Sequence, residues 1–222
     1  MGTNSKGGKE VRSDFTGDEI KDNVRLGHLA EATRMPYLWD SKRNHLRCDW
    51  LELCGEDAPT ARHLFDLKMV GAAQKFIGWD LNTAAIERCE QTYLSEIATG
   101  QAQFSAGDLL TAMRNDEKSL RGVGVLVWDQ TKAASAHFTE SEFPIIARFA
   151  NLQRERLGEF LLILAVSDPP MAKTSLREGL IHSLGEMVGA TFGACAVPPE
   201  KFATYRGETS SVQMYVLRLR LL

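Results

Sequence analysis

Long apolar runs, an apolar leader, a large charge excess and paired cysteine motifs are all missing from this 222-residue sequence. No stretch approaches the roughly 18 apolar residues of a membrane span. The best, Phe160 to Val166, has strand length. The N-terminus is polar and has no secretion-signal core, so a cytoplasmic protein with no membrane partner is expected. The four cysteines, at 48, 54, 89 and 195, include no CxxC pair, and three lie in apolar segments. They read as reduced, buried thiols. The five histidines show no HxxxH or HxH spacing, so no metal site is expected. A net charge of −3 argues against general coating of nucleic acid and leaves room for a local basic patch. Residues 1–48 carry nine Lys/Arg against seven Asp/Glu, and the remainder 17 against 22.

What is present is ordinary globular composition, 44% hydrophobic and 25% charged. A chain this long buries enough surface to fold without staples. Residues 1–20, polar and rich in Gly and Ser, read as a disordered arm. Residues 21–48 read as an N-terminal helical lid or extension of one or two short helices separated at Pro36. Within it, residues 34–45 mix basic and aromatic side chains. Such a mixture stacks bases and neutralises phosphate, or else packs its aromatics on the core; the clustering of apolar residues between the charges favours packing.

From residue 49 the pattern is regular. Strands are predicted at 49–54, 76–80, 101–106, 123–128 and 160–166. Helices fall between them, at about 59–73, 82–100, 108–122 and 139–156, and a fifth at 175–189. Asn82 is placed to cap, and Thr139–Glu142 and Ser175–Glu178 read as capping boxes. Two last strands, 191–197 and 212–222, have only a loop with Pro198-Pro199 between them. Alternating strands and helices imply a parallel sheet covered on both faces, and a terminal pair without a helix implies an antiparallel edge.

Ligands of such sheets lie beyond the strands' carboxyl ends. Acids gather there: Glu52 in the first strand, Glu56-Asp57 past it, Asp80 at the end of the second, and Asp108 and Asp129 after the third and fourth. No GxGxxG loop is present to cradle a pyrophosphate, and Glu56 and Asp57 repel one. The edge suits a ligand with hydroxyls, an amine and a positive charge, properties of an adenosine sulfonium.

On these residues the segment 49–222 resembles the class I S-adenosylmethionine (SAM)-dependent methyltransferases. Leu51-Glu52-Leu53-Cys54-Gly55-Glu56 stands at the family's first motif, Gly78-Trp79-Asp80-Leu81 at the end of strand two, and Ala106-Gly107-Asp108-Leu109 after strand three. The resemblance implies a Rossmann-like α/β fold with a doubly wound, seven-stranded sheet, mostly parallel with an antiparallel last strand and helices on both faces. It implies SAM as cofactor, with Glu52, Cys54 and Gly55 organising the loop near the methionine amine. Asp80 and Leu81 would serve the ribose side, and Asp108 with Leu109 would bracket adenine. The glycine loop departs from the pattern: Cys54 stands where the first glycine is expected and Glu56 where a later one is.

The resemblance implies methyl transfer to an O or N nucleophile, with Asp129 as the candidate catalytic carboxylate. The fourth strand ends Trp128-Asp129-Gln130-Thr131, without the Asp/Asn-Pro-Pro-aromatic motif of base amino-methyltransferases. Asp168-Pro169-Pro170 does occur, but after strand five; only a strand count off by one would make Asp168 the catalytic candidate. No Pro-Cys follows strand four, which argues against cytosine C5 chemistry. The acceptor stays open among small molecule, nucleic acid and protein, and a homodimer is compatible with everything read here. The rival reading is a non-catalytic methyltransferase-fold binding or scaffold protein.

Overall fold

A computed structural model describes residues 17–55, 57–133, 138–167, 200–206 and 211–220. Five parallel strands lie side by side in one sheet, with β5 at its edge: β3 (Asp49–Leu53), β4 (Phe76–Asp80), β5 (Ala102–Ala106), β6 (Val123–Ala133) and β7 (Glu159–Ser167). Beyond β7, strand β9 (Ser211–Arg220) pairs antiparallel with β7, and β8 (Glu200–Arg206) pairs antiparallel with β9. The order across the sheet is β5-β4-β3-β6-β7-β9-β8. The predicted strand 191–197, the helix 175–189 and Asp168-Pro169-Pro170 lie outside the described residues. Strand β8 falls where a loop was expected. Its charged termini, Glu200, Lys201 and Arg206, suit an edge strand and hide it from a hydrophobic-run reading.

Strand alternation divides the core into two layers. Trp50, Phe76, Phe104, Val125, Val127, Leu161 and Ile163 turn to one face. That face is covered by α1 (Gly17–Thr33), α2 (Pro59–Asp66) and α3 (Thr83–Thr92) through Leu29, Leu64, Ile86 and Cys89. Leu51, Ile77, Leu126, Phe160, Leu162 and Leu164 turn to the other, under α5 (Leu109–Arg114) and α6 (Phe143–Leu157). Strands buried on both sides explain why 123–128 and 160–164 are apolar without a break. No helix among the described residues is long and apolar enough to cross a membrane.

Several boundaries differ from the sequence expectation. Helix α1 begins at Gly17, inside the expected arm, and runs unbroken to Thr33. Pro36 then follows a helix end and separates no pair of helices. Residues after it form a short ribbon, β1 (Trp39–Asp40) against β2 (His45–Leu46). Helix α2 stops at Asp66 because the chain turns left-handed at Lys68 (φ 54°). Tyr93 interrupts the third helix, which resumes as α4 (Leu94–Ala98). Strand β6 runs past Trp128 to Ala133, so Asp129 lies within the strand and not after it. Its backbone pairs with Ala165, and ladder pairing persists where the apolar run has ended. Helix α6 does not start at Thr139: a π-helical turn (Phe138–Glu142) precedes it, and its N-cap Glu142 makes no side-chain cap bond.

Candidate functional site

The carboxyl ends of β3, β4 and β5 lie side by side. Register places Glu52 beside Gly78, Leu53 beside Trp79, and Asp80 beside Ala106. Asp80 therefore stands two residues, about 7 Å, further along the strand axis than Glu52. The Gly107 N–H donates to the Asp80 carbonyl at 2.9 Å, joining the turns that follow β4 and β5. One short stretch of edge thus holds Glu52, Gly55, Asp80 and Asp108.

Each acid is held differently. Glu52 is buried. Its Oε1 accepts from Thr60 Oγ1 at 2.8 Å and its Oε2 from Trp50 Nε1 at 3.1 Å. It ties β3 to the start of α2, which is the work of a loop organiser. Asp80 is half-buried. Its Oδ1 accepts the Asn82 N–H at 2.8 Å, closing the turn that lets Asn82 cap α3. Asp108 caps α5, accepting from the Leu110 N–H at 3.0 Å and the Thr111 hydroxyl at 2.6 Å. A carboxylate has about four lone-pair sites, so capping leaves capacity for a ligand donor.

The apolar candidates split. Leu81 is 76% exposed beside Asp80, an apolar surface offered to the edge. Leu109 sends its side chain into the α5 layer, where it is 3% exposed, so only its backbone faces the site. Cys54 is also turned inward. Its thiol lies 3.8 Å from the Trp79 carbonyl, in contact with Cys89. Burial first, then Cys89 and Asp80, push its pKa far above the usual thiol range, so it stays a protonated thiol and is no nucleophile.

The turn after β3 begins left-handed. Gly55 adopts φ 59°, and a Cβ there would meet nothing within 4 Å. The turn next to it is left-handed at Ala58 (φ 40°), a conformation that costs an alanine about 1 kcal/mol. Tyr93 holds it: the phenol donates to the Ala58 carbonyl at 3.0 Å and lies 3.3 Å from that of Asp57. Trp79 Nε1 donates to the Gly107 carbonyl at 2.9 Å, fixing the turn after β5. Thr60, Tyr93 and Trp79 were not picked out from sequence as site residues. No local signal marks Tyr93 or Trp79, since each reaches a turn 28 to 36 residues away; Thr60, eight residues from Glu52, was hidden inside a helix start.

An adenosine sulfonium fits these donors and acceptors. Asp80 has a second carboxylate oxygen beyond the one that closes the turn, Leu81 has an exposed apolar face, and Gly55 and Gly107 leave space at the turns, features of the kind that vicinal hydroxyls and an adenosine need. Strand β6 adjoins β3, which makes it the fourth strand and β7 the fifth. Asp129 lies on the fourth strand. Among the described residues no group of three or more His, Cys, Asp or Glu side chains is placed to hold a metal ion.

No family model matches the sequence, and no curated protein matches it. Solved structures do. The chain is similar to the delta-N METTL16 MTase domain at 10% identity, covering 90% of this chain and 83% of that one, with a TM-score of 0.57. A Clostridium thermocellum protein assigned as an rRNA-methylase matches at 10% identity over 87% and 97%, with a TM-score of 0.52. The human methyltransferase 10 domain containing protein matches at 12% over 90% and 82%, with a TM-score of 0.51. Other matched chains are longer: this one spans 66% of an uncharacterised Listeria monocytogenes protein and 40% of WbdD. Likeness at such identities is likeness of fold, and the fold that the chain shares with the first three, each with a TM-score above 0.5, is the class I methyltransferase fold.

Proposed function

We propose that this chain is a SAM-dependent methyltransferase acting on an O or N nucleophile of a small-molecule, nucleic-acid or protein acceptor in the cytoplasm. The observation that carries the reading is the convergence of Glu52, Asp80 and Asp108 at the ends of three adjacent parallel strands, around open turns at Gly55 and Gly107. The strand order, with a reversed strand inserted beside the fifth, supports it, as does the shared fold. In this reading residues 49–222 form the methyltransferase domain and 21–48 an extension of it.

SAM supplies an electrophilic methyl group on a sulfonium. The chain supplies position. Asp80 would hold the ribose hydroxyls, with Leu81 beside it; Asp108 and the Leu109 backbone would meet the adenine. Glu52, satisfied by Thr60 and Trp50, would fix the Cys54-Gly55 turn near the methionine amine. Asp129, on the neighbouring strand, would take the proton that the acceptor loses. Holding two reactants in line provides much of the acceleration for such a transfer.

Calorimetry of SAM binding tests the assignment. Hydrogen bonds to a charged acceptor contribute about 1.5–3 kcal/mol, so Asp80→Ala is expected to weaken binding by more than about tenfold. Asp80→Asn keeps an oxygen for the Asn82 N–H and separates loss of the ligand contact from loss of the turn. Unchanged affinity in Asp80→Ala overturns the assignment.

A further inference from the structure

The opposite, amino edge of the sheet has a different chemistry. It is built in part by the basic and aromatic segment 34–48. Met35, Leu38 and Trp39 are buried in the core, so they are not free to stack on a ligand. Leu38 and Cys48 pack at Gly124, the second residue of β6, and the Leu46 N–H donates to the Met69 carbonyl. The Tyr37 N–H donates to Glu159 at the start of β7, and the Tyr37 ring lies over Gly158. These contacts place the segment beneath the strands' amino ends and not over the candidate cofactor site.

What the segment leaves outside is cationic. Arg34, Lys42, Arg43 and Arg47 are exposed; Arg34 pairs with Glu31, and Arg47 stands 3.6 Å from Asp40, the one acid between residues 34 and 47, so Lys42 and Arg43 carry the excess. Tyr37 among them is 64% exposed. The hairpin tip is shaped to present its charges: the Asp40 carboxylate accepts the N–H groups of Lys42 and Arg43 at 3.0 and 3.1 Å, and Asn44 is left-handed at φ 58°. The charged surface continues. Gly158, under Tyr37, follows Arg156 by two residues. Arg156 grips Asp116 through two bonds of 2.8 and 2.9 Å, and Arg121 shares the same carboxylate at 3.4 Å. Glu155 and Asp49 stand near this pair, so the cluster is close to balanced and the cationic excess lies on the ribbon. Gly122, next to Arg121, accepts the Asp49 N–H, which returns the path to Arg47 and the ribbon.

We infer that this amino edge is a docking surface for single-stranded nucleic acid, with phosphates meeting Lys42, Arg43 and Arg47 and a base stacking on Tyr37. Cations interleaved with an exposed aromatic ring suit that polymer, since every base has a face to stack. The acidic carboxyl edge repels phosphate, so the field of the molecule steers a polyanion to this end. The inference rests on this surface alone and stands whether or not the other edge binds SAM.

Fluorescence anisotropy of a fluorescein-labelled oligouridylate tests it, in the full chain, at low and near-physiological salt. Saturable binding that weakens as salt rises is expected. Arg43→Glu and Tyr37→Ala should each weaken it about fivefold or more. Arg88→Glu, an equal charge change on α3, should stay within about twofold. All three positions are exposed, and thermal melts check that the variants fold. Absence of saturable binding at low salt overturns the inference. So does an Arg43→Glu effect no larger than that of Arg88→Glu. Competition by polyglutamate as effective as by unlabelled oligouridylate overturns it in favour of an acidic polypeptide partner.

Discussion

Tyr93 shows how a single residue can shape the site without facing it. Its hydroxyl supports the left-handed Ala58 and the turn before α2. Tyr93→Phe removes that donor and leaves the Ala58 carbonyl, in a fully buried residue, without it. A loss of about 1 kcal/mol in urea denaturation is expected, with a several-fold fall in affinity for S-adenosylhomocysteine because the turn is freed. Unchanged affinity would show that the turn does not serve the ligand. The place of Asp80 was legible in the sequence because it closes a short apolar run, and the end of a strand has a fixed place in a parallel sheet. The inward turn of Cys54 and Leu109 was not, because sequence position gives a residue's row and not its direction at a strand end.

At the scale of elements, β4 packs its glycine against a ring. A Cβ on Gly78 would stand 2.5 Å from Phe104 Cδ1 and 3.0 Å from Cys54 Sγ. Gly78→Ala therefore overpacks the layer under α3. It is expected to lower stability by about 1–3 kcal/mol, read as a lower denaturation midpoint with little change in slope. An unchanged midpoint would mean that Phe104 and Cys54 yield freely. The five parallel strands were legible because each is a short apolar or alternating run between turn signals, and β4 begins and ends where the pattern places it. Helix ends were less so. The stop of α2 at Asp66 and the break at Tyr93 answer to tertiary contacts, and the ribbon of β1 and β2 is too short to show a period. The polar half of β6 was missed because hydrophobic periodicity does not register a backbone ladder that continues under Asp129 and Gln130.

Over the whole molecule, the acids of the carboxyl edge and the cations of the amino edge lie at opposite ends of one sheet. Both were present in the sequence; their separation depends on which end of the strands the ribbon joins. Global stability carries its own pH signature. His28, on α1, is buried, and burial first, then Arg25, push its pKa down to about 4 from 6.5. The folded protein binds fewer protons here than the unfolded chain between those values. This contribution is therefore complete above about pH 6.5 and is lost as pH falls toward 4, at up to about 1.4 kcal/mol per unit. Urea midpoints measured across that window should fall less steeply in His28→Gln than in the parent chain. Parallel slopes would assign the acid sensitivity to other groups.

The central claim is that the acidic carboxyl edge is a working cofactor site, and titration of the purified chain with SAM and with S-adenosylhomocysteine by calorimetry addresses it most directly. Binding in the micromolar range is predicted, about −8 kcal/mol, with the homocysteine product at least as tight as SAM. No heat and no saturation with either ligand at millimolar concentration would contradict the account and leave the acids of β3, β4 and β5 as loop and helix caps alone.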